Sequence, residues 1–156
     1  MDLAAKFSKI GVLGAGQMGS GIAQIFAGWG AKVVVVDNAE NQLEKAKAGI
    51  QKSADKLLSK ERISKEEHTA ISGNLTFATK LDAFADCDLV IEAIVENEKI
   101  KASVLQEISA LTSERCILAS NTSSISITRL ASATKRPEQF IGMHFMNPVP
   151  LSLIHI

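Results

Sequence analysis

A glycine-rich turn between a strand-like run and a helix-like run constrains the fold of this chain most. Residues 10–13 (Ile-Gly-Val-Leu) form a short apolar run, and Gly14-Ala15-Gly16-Gln17-Met18-Gly19 follows at once. Apolar residues then recur at helical spacing over residues 22–26. Residues 32–37 contain four consecutive valines before Asp37, a pattern typical of a strand buried on both faces of a parallel sheet. The sequence therefore predicts a β-α-β unit.

Strands and helices continue to alternate along the chain. Residues 38–72 are rich in lysine and glutamate and predict a long helix, a break at 60–64 and a short helix begun by the capping box Ser64-Lys65-Glu66-Glu67. Further strands are expected at residues 75–78, 88–93, 116–120 and 140–145, and further helices at 97–111 and 127–131. This alternation predicts a doubly wound parallel α/β sheet with a helical hairpin inserted after the second strand.

Composition excludes several classes of function. The 156 residues carry 17 Lys+Arg against 17 Asp+Glu, so the basic excess expected of a nucleic-acid binder is missing. The longest apolar runs are strand-sized, and neither a signal peptide nor a transit peptide is readable, so we expect one cytoplasmic domain that does not enter a membrane. Cys87 and Cys116 lie outside any metal-ligand spacing and are expected to be reduced core residues, with no metal site.

The glycine turn predicts a dinucleotide site. The motif alone is weak evidence, but here it follows a strand, opens a helix and precedes an acid at the end of the next strand. We expect Gly14 to permit the tight turn, Gly16 to leave room for a pyrophosphate and Gly19 to allow close helix packing. Asp37 is expected to accept hydrogen bonds from ribose hydroxyls and to repel a 2′-phosphate, which favours NAD over NADP. The alternative is that Asp37 caps the following helix.

Polar residues follow the later strands. Asn121 and Ser123 come after the strand at 116–120, and His144 lies near the end of the strand at 140–145. The carboxyl ends of such strands face the ligand crevice, where a histidine is suited to take a proton from a hydroxyl while hydride leaves the same carbon. The alternatives are a satisfied core or loop histidine for His144, and a polar turn or helix cap for Asn121 and Ser123.

Four motifs in order resemble the NAD-binding domain of the 3-hydroxyacyl-CoA dehydrogenase family. They occupy residues 14–19, 91–97, 119–124 and 144–150 (His-Phe-Met-Asn-Pro-Val-Pro). The similarity runs from about residue 10 to residue 151 and is closest to the short-chain, 3-hydroxybutyryl-CoA type found in bacteria. It implies a Rossmann-type fold, NAD as cofactor and the oxidation of a (3S)-3-hydroxyacyl-CoA to the 3-ketoacyl-CoA.

The resemblance also implies roles for individual residues. His144 corresponds to the catalytic base, and Ser123 to a hydrogen-bond partner of the substrate oxygen. Ser53 and Lys60, on the long helix, correspond to contacts with CoA, although a solvated charge is the alternative for Lys60. The residues expected around the cofactor are Gly14, Gly16, Gln17, Met18, Gly19, Asp37, Glu96, Lys101, Asn121, Ser123 and Asn147.

The match to the family fails at the end of the chain. Family members continue with a strand that supplies a glutamate to the catalytic histidine, and direct counting places that glutamate at Ile156. A helical substrate and dimerisation domain is expected to follow, so the chain is interpreted as a truncated copy of a homodimeric parent. Three hypotheses stay open: this dehydrogenase, an NAD-dependent dehydrogenase of a small hydroxy acid or sugar acid, or an NAD-binding fragment without turnover, which is preferred for the isolated chain.

Overall fold

A six-stranded parallel sheet organises the part of the chain that the structure describes. The computed structural model describes residues 7–152. The strands are β1 (Lys9–Leu13), β2 (Lys32–Val36), β3 (Leu75–Ala78), β4 (Leu89–Glu92), β5 (Ile117–Ser120) and β6 (Phe140–Gly142). Their order is β3-β2-β1-β4-β5-β6, and every neighbouring pair is parallel. This is the doubly wound order of a Rossmann-type sheet, so the predicted fold class is confirmed.

Helices connect the strands on both faces of the sheet. They are α1 (Gln17–Gly28), α2 (Glu40–Ser59), α3 (Lys65–Asn74), α4 (Glu98–Leu111), α5 (Ile127–Ser132) and α6 (Val149–Ser152), with short 3-10 helices at Leu81–Phe84 and Pro137–Gln139. The α2–α3 hairpin lies between β2 and β3, as the sequence predicts. Its capping box is formed, because Glu67 N–H donates to Ser64 Oγ at 3.1 Å and Ser64 N–H donates to Glu67 Oε2 at 2.8 Å.

The core consists of two apolar layers, one on each face of the sheet. Val33 and Val35 pack into the layer beneath α1, while Val34 and Val36 pack into the opposite layer against the 3-10 helix at Leu81–Phe84 and α4. The uninterrupted valine run therefore follows from burial of both faces. Cys87 and Cys116 are buried free thiols in the second layer. Within residues 7–152, no helix is long and apolar enough to cross a membrane.

The last strand is shorter than its sequence predicts. An apolar run suggests a strand through Phe145, but β6 ends at Gly142. The reason lies in its neighbour: β5 ends at Ser120, and the Met143 N–H bond to the Ser120 carbonyl is the last backbone hydrogen bond of this ladder within residues 7–152. Phe145 N–H donates instead to the side chain of Asn121 at 2.8 Å. His144 therefore lies in a loop and not at a strand end.

The segment after that loop also differs from expectation. The apolar run and the two prolines give no sign of a helix here, yet Val149 begins the short helix α6, which packs on α1. Gly21 makes this possible, because a Cβ on it would lie 2.7 Å from Val149 Cβ. Ile156, the position at which the family glutamate was expected, lies outside the described residues.

Candidate cofactor and active site

The three glycines of the turn lie in three different structural environments. Gly14 has a φ of +103°, which side chains rarely adopt. A Cβ on Gly19 would lie 1.9 Å from the Gly14 carbonyl oxygen, so α1 packs against the turn itself more closely than against β1. Gly16 differs from both, since a Cβ there would meet no protein atom within 4 Å. It borders open space.

That open space lies at the N-terminus of α1. Gly16 is the N-cap residue, no side chain caps the helix, and the first turn contains no acidic residue. The first-turn N–H groups of a helix have no intrahelical acceptors and favour an anion. The room beside Gly16 and these N–H donors together fit a pyrophosphate, so the turn can hold a dinucleotide.

Asp37 links the turn to the end of β2. Its Oδ2 accepts from Ala15 N–H at 2.9 Å, and its Oδ1 accepts from Ala39 N–H at 3.0 Å. Ala39, and not Asp37, is the N-cap residue of α2, so Asp37 does not occupy the helix-cap position. Each carboxylate oxygen keeps a further lone pair for a hydroxyl donor.

A cavity of about 700 Å³ adjoins this acid. Asp37 and Gly16 lie at its polar edge, and its apolar walls include Leu81, Ile100 and Val104. Apolar walls with a few placed polar groups are the usual composition of a small-molecule site. An adenosine fits this combination, since its base needs apolar contact and its ribose needs an acceptor.

A second cavity, of about 340 Å³, collects most of the other predicted site residues. They come from α1, from α4 and the loop that precedes it, from the segment after β5 and from the loop after β6. The lining includes Met18, Glu96, Lys101, Asn121, Ser123, His144, Phe145 and Asn147. Parallel strand ends meet at one edge of the sheet, which is why segments distant in sequence converge here.

The loop that carries His144 is fixed by Asn121. The Asn121 backbone N–H donates to the Glu92 carbonyl at 2.9 Å, and its side-chain oxygen accepts from Phe145 N–H. The side chains of His144 and Ser123 are exposed, and neither has a hydrogen-bond partner within residues 7–152. Both are thus available to a ligand in the cavity.

Two charged side chains are fully buried beneath the cavity. Lys101 is 1% exposed and Glu92 is 0% exposed, and Lys101 Nζ lies 2.5 Å from Glu92 Oε1. Glu92 also accepts from Ile94 N–H at 2.7 Å and from Ser120 Oγ at 2.6 Å. Sequence reasoning missed Glu92 and Ser120. The sequence did contain a signal for Glu92, because an acid at the end of an otherwise apolar, buried strand needs a hydrogen-bond or ion-pair partner.

Glu96 is held at the rim by hydroxyl groups from the β5 end. Its Oε1 accepts from Thr122 Oγ1 and from Ser124 Oγ, and its Oε2 lies 3.5 Å from Lys101 Nζ. Burial raises the pKa of Glu96, but the two hydroxyl bonds and the charge of Lys101 outweigh it and leave the pKa below its ordinary value. Glu96 is therefore ionised at neutral pH. Thr122 is a further residue that sequence reasoning missed.

The structure separates the two residues predicted to contact CoA. Ser53 lines a groove of about 400 Å³ between α1 and α2, together with Gln24, Lys45 and Pro148. Lys60 follows the last residue of α2 and is exposed, about 10 Å along the helix from Ser53 at 1.5 Å per residue. Of the two, only Ser53 lines the groove.

Comparison with known proteins gives consistent matches. The family model described as "3-hydroxyacyl-CoA dehydrogenase, NAD binding domain" matches residues 9–154. A "Probable 3-hydroxybutyryl-CoA dehydrogenase" of Deinococcus radiodurans is 53% identical over 143 residues, covering 92% of this chain and 51% of the relative. A 3-hydroxybutyryl-CoA dehydrogenase of Bradyrhizobium diazoefficiens is 49% identical over 149 residues, covering 96% and 51%.

A solved structure agrees with these relatives. The crystal structure of (S)-3-hydroxybutyryl-CoA dehydrogenase from Ralstonia eutropha superposes with a TM-score of 0.88 at 42% identity, covering 93% of this chain and 51% of that one. The chain thus spans about half the length of the curated relatives it matches.

Proposed function

The chain belongs to the 3-hydroxyacyl-CoA dehydrogenase family, and we propose that it forms the NAD-binding domain of an enzyme that oxidises a (3S)-3-hydroxyacyl-CoA to the 3-ketoacyl-CoA. The matched model is the NAD-binding domain of these dehydrogenases, so NAD is the cofactor. The relatives named 3-hydroxybutyryl-CoA dehydrogenase support a short acyl chain. The observation that carries the proposal is the convergence of Ser123 and His144, both without protein partners within residues 7–152, on a cavity lined by Met18 of the glycine-turn helix.

Cofactor binding is assigned to residues around the first cavity. The N–H groups at the start of α1 bind the pyrophosphate, and Gly16 leaves it room. Asp37 accepts from the ribose hydroxyls, while Ile100 and Val104 contact the adenine. Gln17, whose Nε2 donates to Asn147 Oδ1 at 3.2 Å, connects this region to the loop after β6.

Proton transfer is assigned to the second cavity. Bound NAD supplies the acceptor for the hydride that leaves C3 of the substrate. A ring nitrogen of His144 takes the proton of the 3-hydroxyl, and Ser123 Oγ donates to the same oxygen. Asn121 holds the His144 loop in place. The imidazole becomes positively charged as it takes the proton, so a carboxylate partner would stabilise it.

The remaining assignments concern the substrate and the whole protein. Ser53 in the groove, with Lys60 further along α2, contacts the CoA moiety. The parent protein acts as a homodimer through the part of its relatives' length that this chain does not span. We place it in the cytoplasm, where the buried thiols of Cys87 and Cys116 stay reduced.

The test compares two lengths of protein. For the 156-residue chain we expect NAD binding without appreciable turnover, measured by calorimetry and by NADH absorbance. A protein extended to the full length of the relatives should oxidise 3-hydroxybutyryl-CoA but not free 3-hydroxybutyrate. Robust turnover by the 156-residue chain would contradict the expectation that it binds NAD without turnover. Equal oxidation of free 3-hydroxybutyrate by the extended protein would favour a small hydroxy acid as the substrate.

The catalytic base is tested in the extended protein. His144→Gln should lower turnover by about two to four decades and leave the Kd for NAD nearly unchanged, because these are the usual effects of removing a positioned general base. His68→Gln is the matched control, since His68 lies on α3 and pairs with Asp55 at 2.7 Å. If His144→Gln kept most of the activity, another group would have to be the base.

A further inference from the structure

The groups around the His144 cavity do not balance in charge. Glu92 and Lys101 form a buried pair at 2.5 Å, and Glu92 accepts two further hydrogen bonds, so this pair is internally satisfied and neutral. Glu96 is the third charged group, 3.5 Å from the same ammonium. One ammonium thus faces two carboxylates, which leaves one negative charge.

That negative charge lies on the cavity side. The side chain of Glu96 is 41% exposed and lines the cavity, whereas Glu92 lies beneath it. Arg129, the basic residue of α5, pairs with Glu98 at 3.0 Å, so its charge is already matched. Thr122 and Ser124 hold the Glu96 carboxylate in place without any ligand. The negative field is therefore preorganised.

The two redox forms of the cofactor differ by one charge at the ring that exchanges hydride. The oxidised nicotinamide is a cation, whereas the reduced ring is neutral. A fixed carboxylate nearby attracts the first and has little effect on the second. We propose that Glu96 makes this cavity select the oxidised cofactor over the reduced one. The inference rests on the proposed function, because it requires the nicotinamide ring to lie in the His144 cavity.

The effect is expected to be moderate. Partly exposed charges interact weakly because water screens them, so removal of the Glu96 charge should change the ratio of the two affinities by about 3-fold to 10-fold. Glu96 is in this sense a specificity-determining residue for the redox state of the cofactor. Its charge acts on the ring, while Asp37 acts on the adenosine part that both forms share.

The test measures Kd for NAD+ and for NADH separately on the 156-residue chain, by calorimetry. Glu96→Gln should lower the ratio Kd(NADH)/Kd(NAD+) by about 3-fold to 10-fold, chiefly through weaker NAD+ binding. Glu107→Gln is the matched control: it makes the same isosteric change further along α4, at an exposed residue outside the cavity that has no ion-pair partner within residues 7–152, and it should leave the ratio unchanged. Asp37→Ala should weaken the binding of NAD+ and of NADH by the same factor.

Ionic strength gives an independent measurement on the unaltered chain. The preference for NAD+ should shrink as salt rises, because added ions screen the Glu96 charge, and a purely structural role would not produce this dependence. Equal weakening of both forms by Glu96→Gln, or a ratio insensitive to salt, would overturn the inference and leave the proposed function intact. Failure of the unaltered chain to bind either form would overturn both.

Discussion

The backbone N–H of Ala15 donates to Asp37 Oδ2 at 2.9 Å, so the acid at the end of β2 holds the glycine turn in addition to bordering the adenosine-sized cavity. One carboxylate thereby serves the shape of the turn and the recognition of the ribose. Substitutions that keep or remove its oxygen acceptors separate these two contributions.

Asp37 should determine the choice between NAD and NADP. We expect the chain to prefer NAD, because a carboxylate repels a 2′-phosphate. Asp37→Ala should cost about one to two decades in NAD affinity, the usual loss for one charged hydrogen bond. Asp37→Asn keeps one oxygen, which can still accept from Ala15 N–H, but loses the acceptor for Ala39 N–H. It should therefore disturb the turn less than Asp37→Ala does, while narrowing the difference between the NAD and NADP affinities. Calorimetric titration of both cofactors checks this, and equal binding of NADP by the unaltered chain would contradict it.

Gly16 and Gly19 should respond differently to alanine. A Cβ on Gly16 enters open space, so Gly16→Ala should leave the urea unfolding midpoint nearly unchanged. It should weaken NAD binding about tenfold or more, because the methyl group would occupy the room assigned to the pyrophosphate. A Cβ on Gly19 meets the Gly14 carbonyl oxygen at 1.9 Å, so Gly19→Ala should cost about 1–3 kcal/mol of stability. NAD affinity unaffected by Gly16→Ala would contradict the placement of the pyrophosphate.

Asn121 should control the order of the His144 loop. Asn121→Ala removes the acceptor of Phe145 N–H, which we expect to accelerate hydrogen exchange of that amide about tenfold, measured by NMR. Asn121→Asp retains an oxygen acceptor, so it is the control in which the Phe145 amide should stay protected from hydrogen exchange. Unchanged exchange in Asn121→Ala would show that the loop is held by other contacts.

The two thiols should be unreactive in the folded protein. Burial raises the pKa of Cys87 to about 12 and also raises the pKa of Cys116, so the reactive thiolate is scarce at pH 8. Ellman's reagent should therefore label neither cysteine under native conditions and both in guanidinium chloride. Rapid labelling of the native protein would mean that the second core layer opens readily.

Local features of the chain were predictable from its sequence. The valine run of β2, the glycine turn and the Ser64–Glu67 capping box each depend on neighbouring residues, through burial of alternate side chains, backbone conformation and helix-end hydrogen bonds. The resemblance to known dehydrogenases added expected roles for His144 and Ser123, which stay predictions.

Other features were decided by tertiary structure. β6 ends at Gly142 where its neighbour β5 ends at Ser120, and Phe145 N–H donates to the side chain of Asn121, 24 residues earlier in the sequence. Glu92 is tolerated in a buried strand because Lys101 from α4, Ser120 from β5 and the Ile94 N–H together satisfy its carboxylate. Sequence periodicity reports whether a residue is buried, but the hydrogen bonds and ion pairs that satisfy a buried polar group come from distant segments, and only the folded chain brings these together.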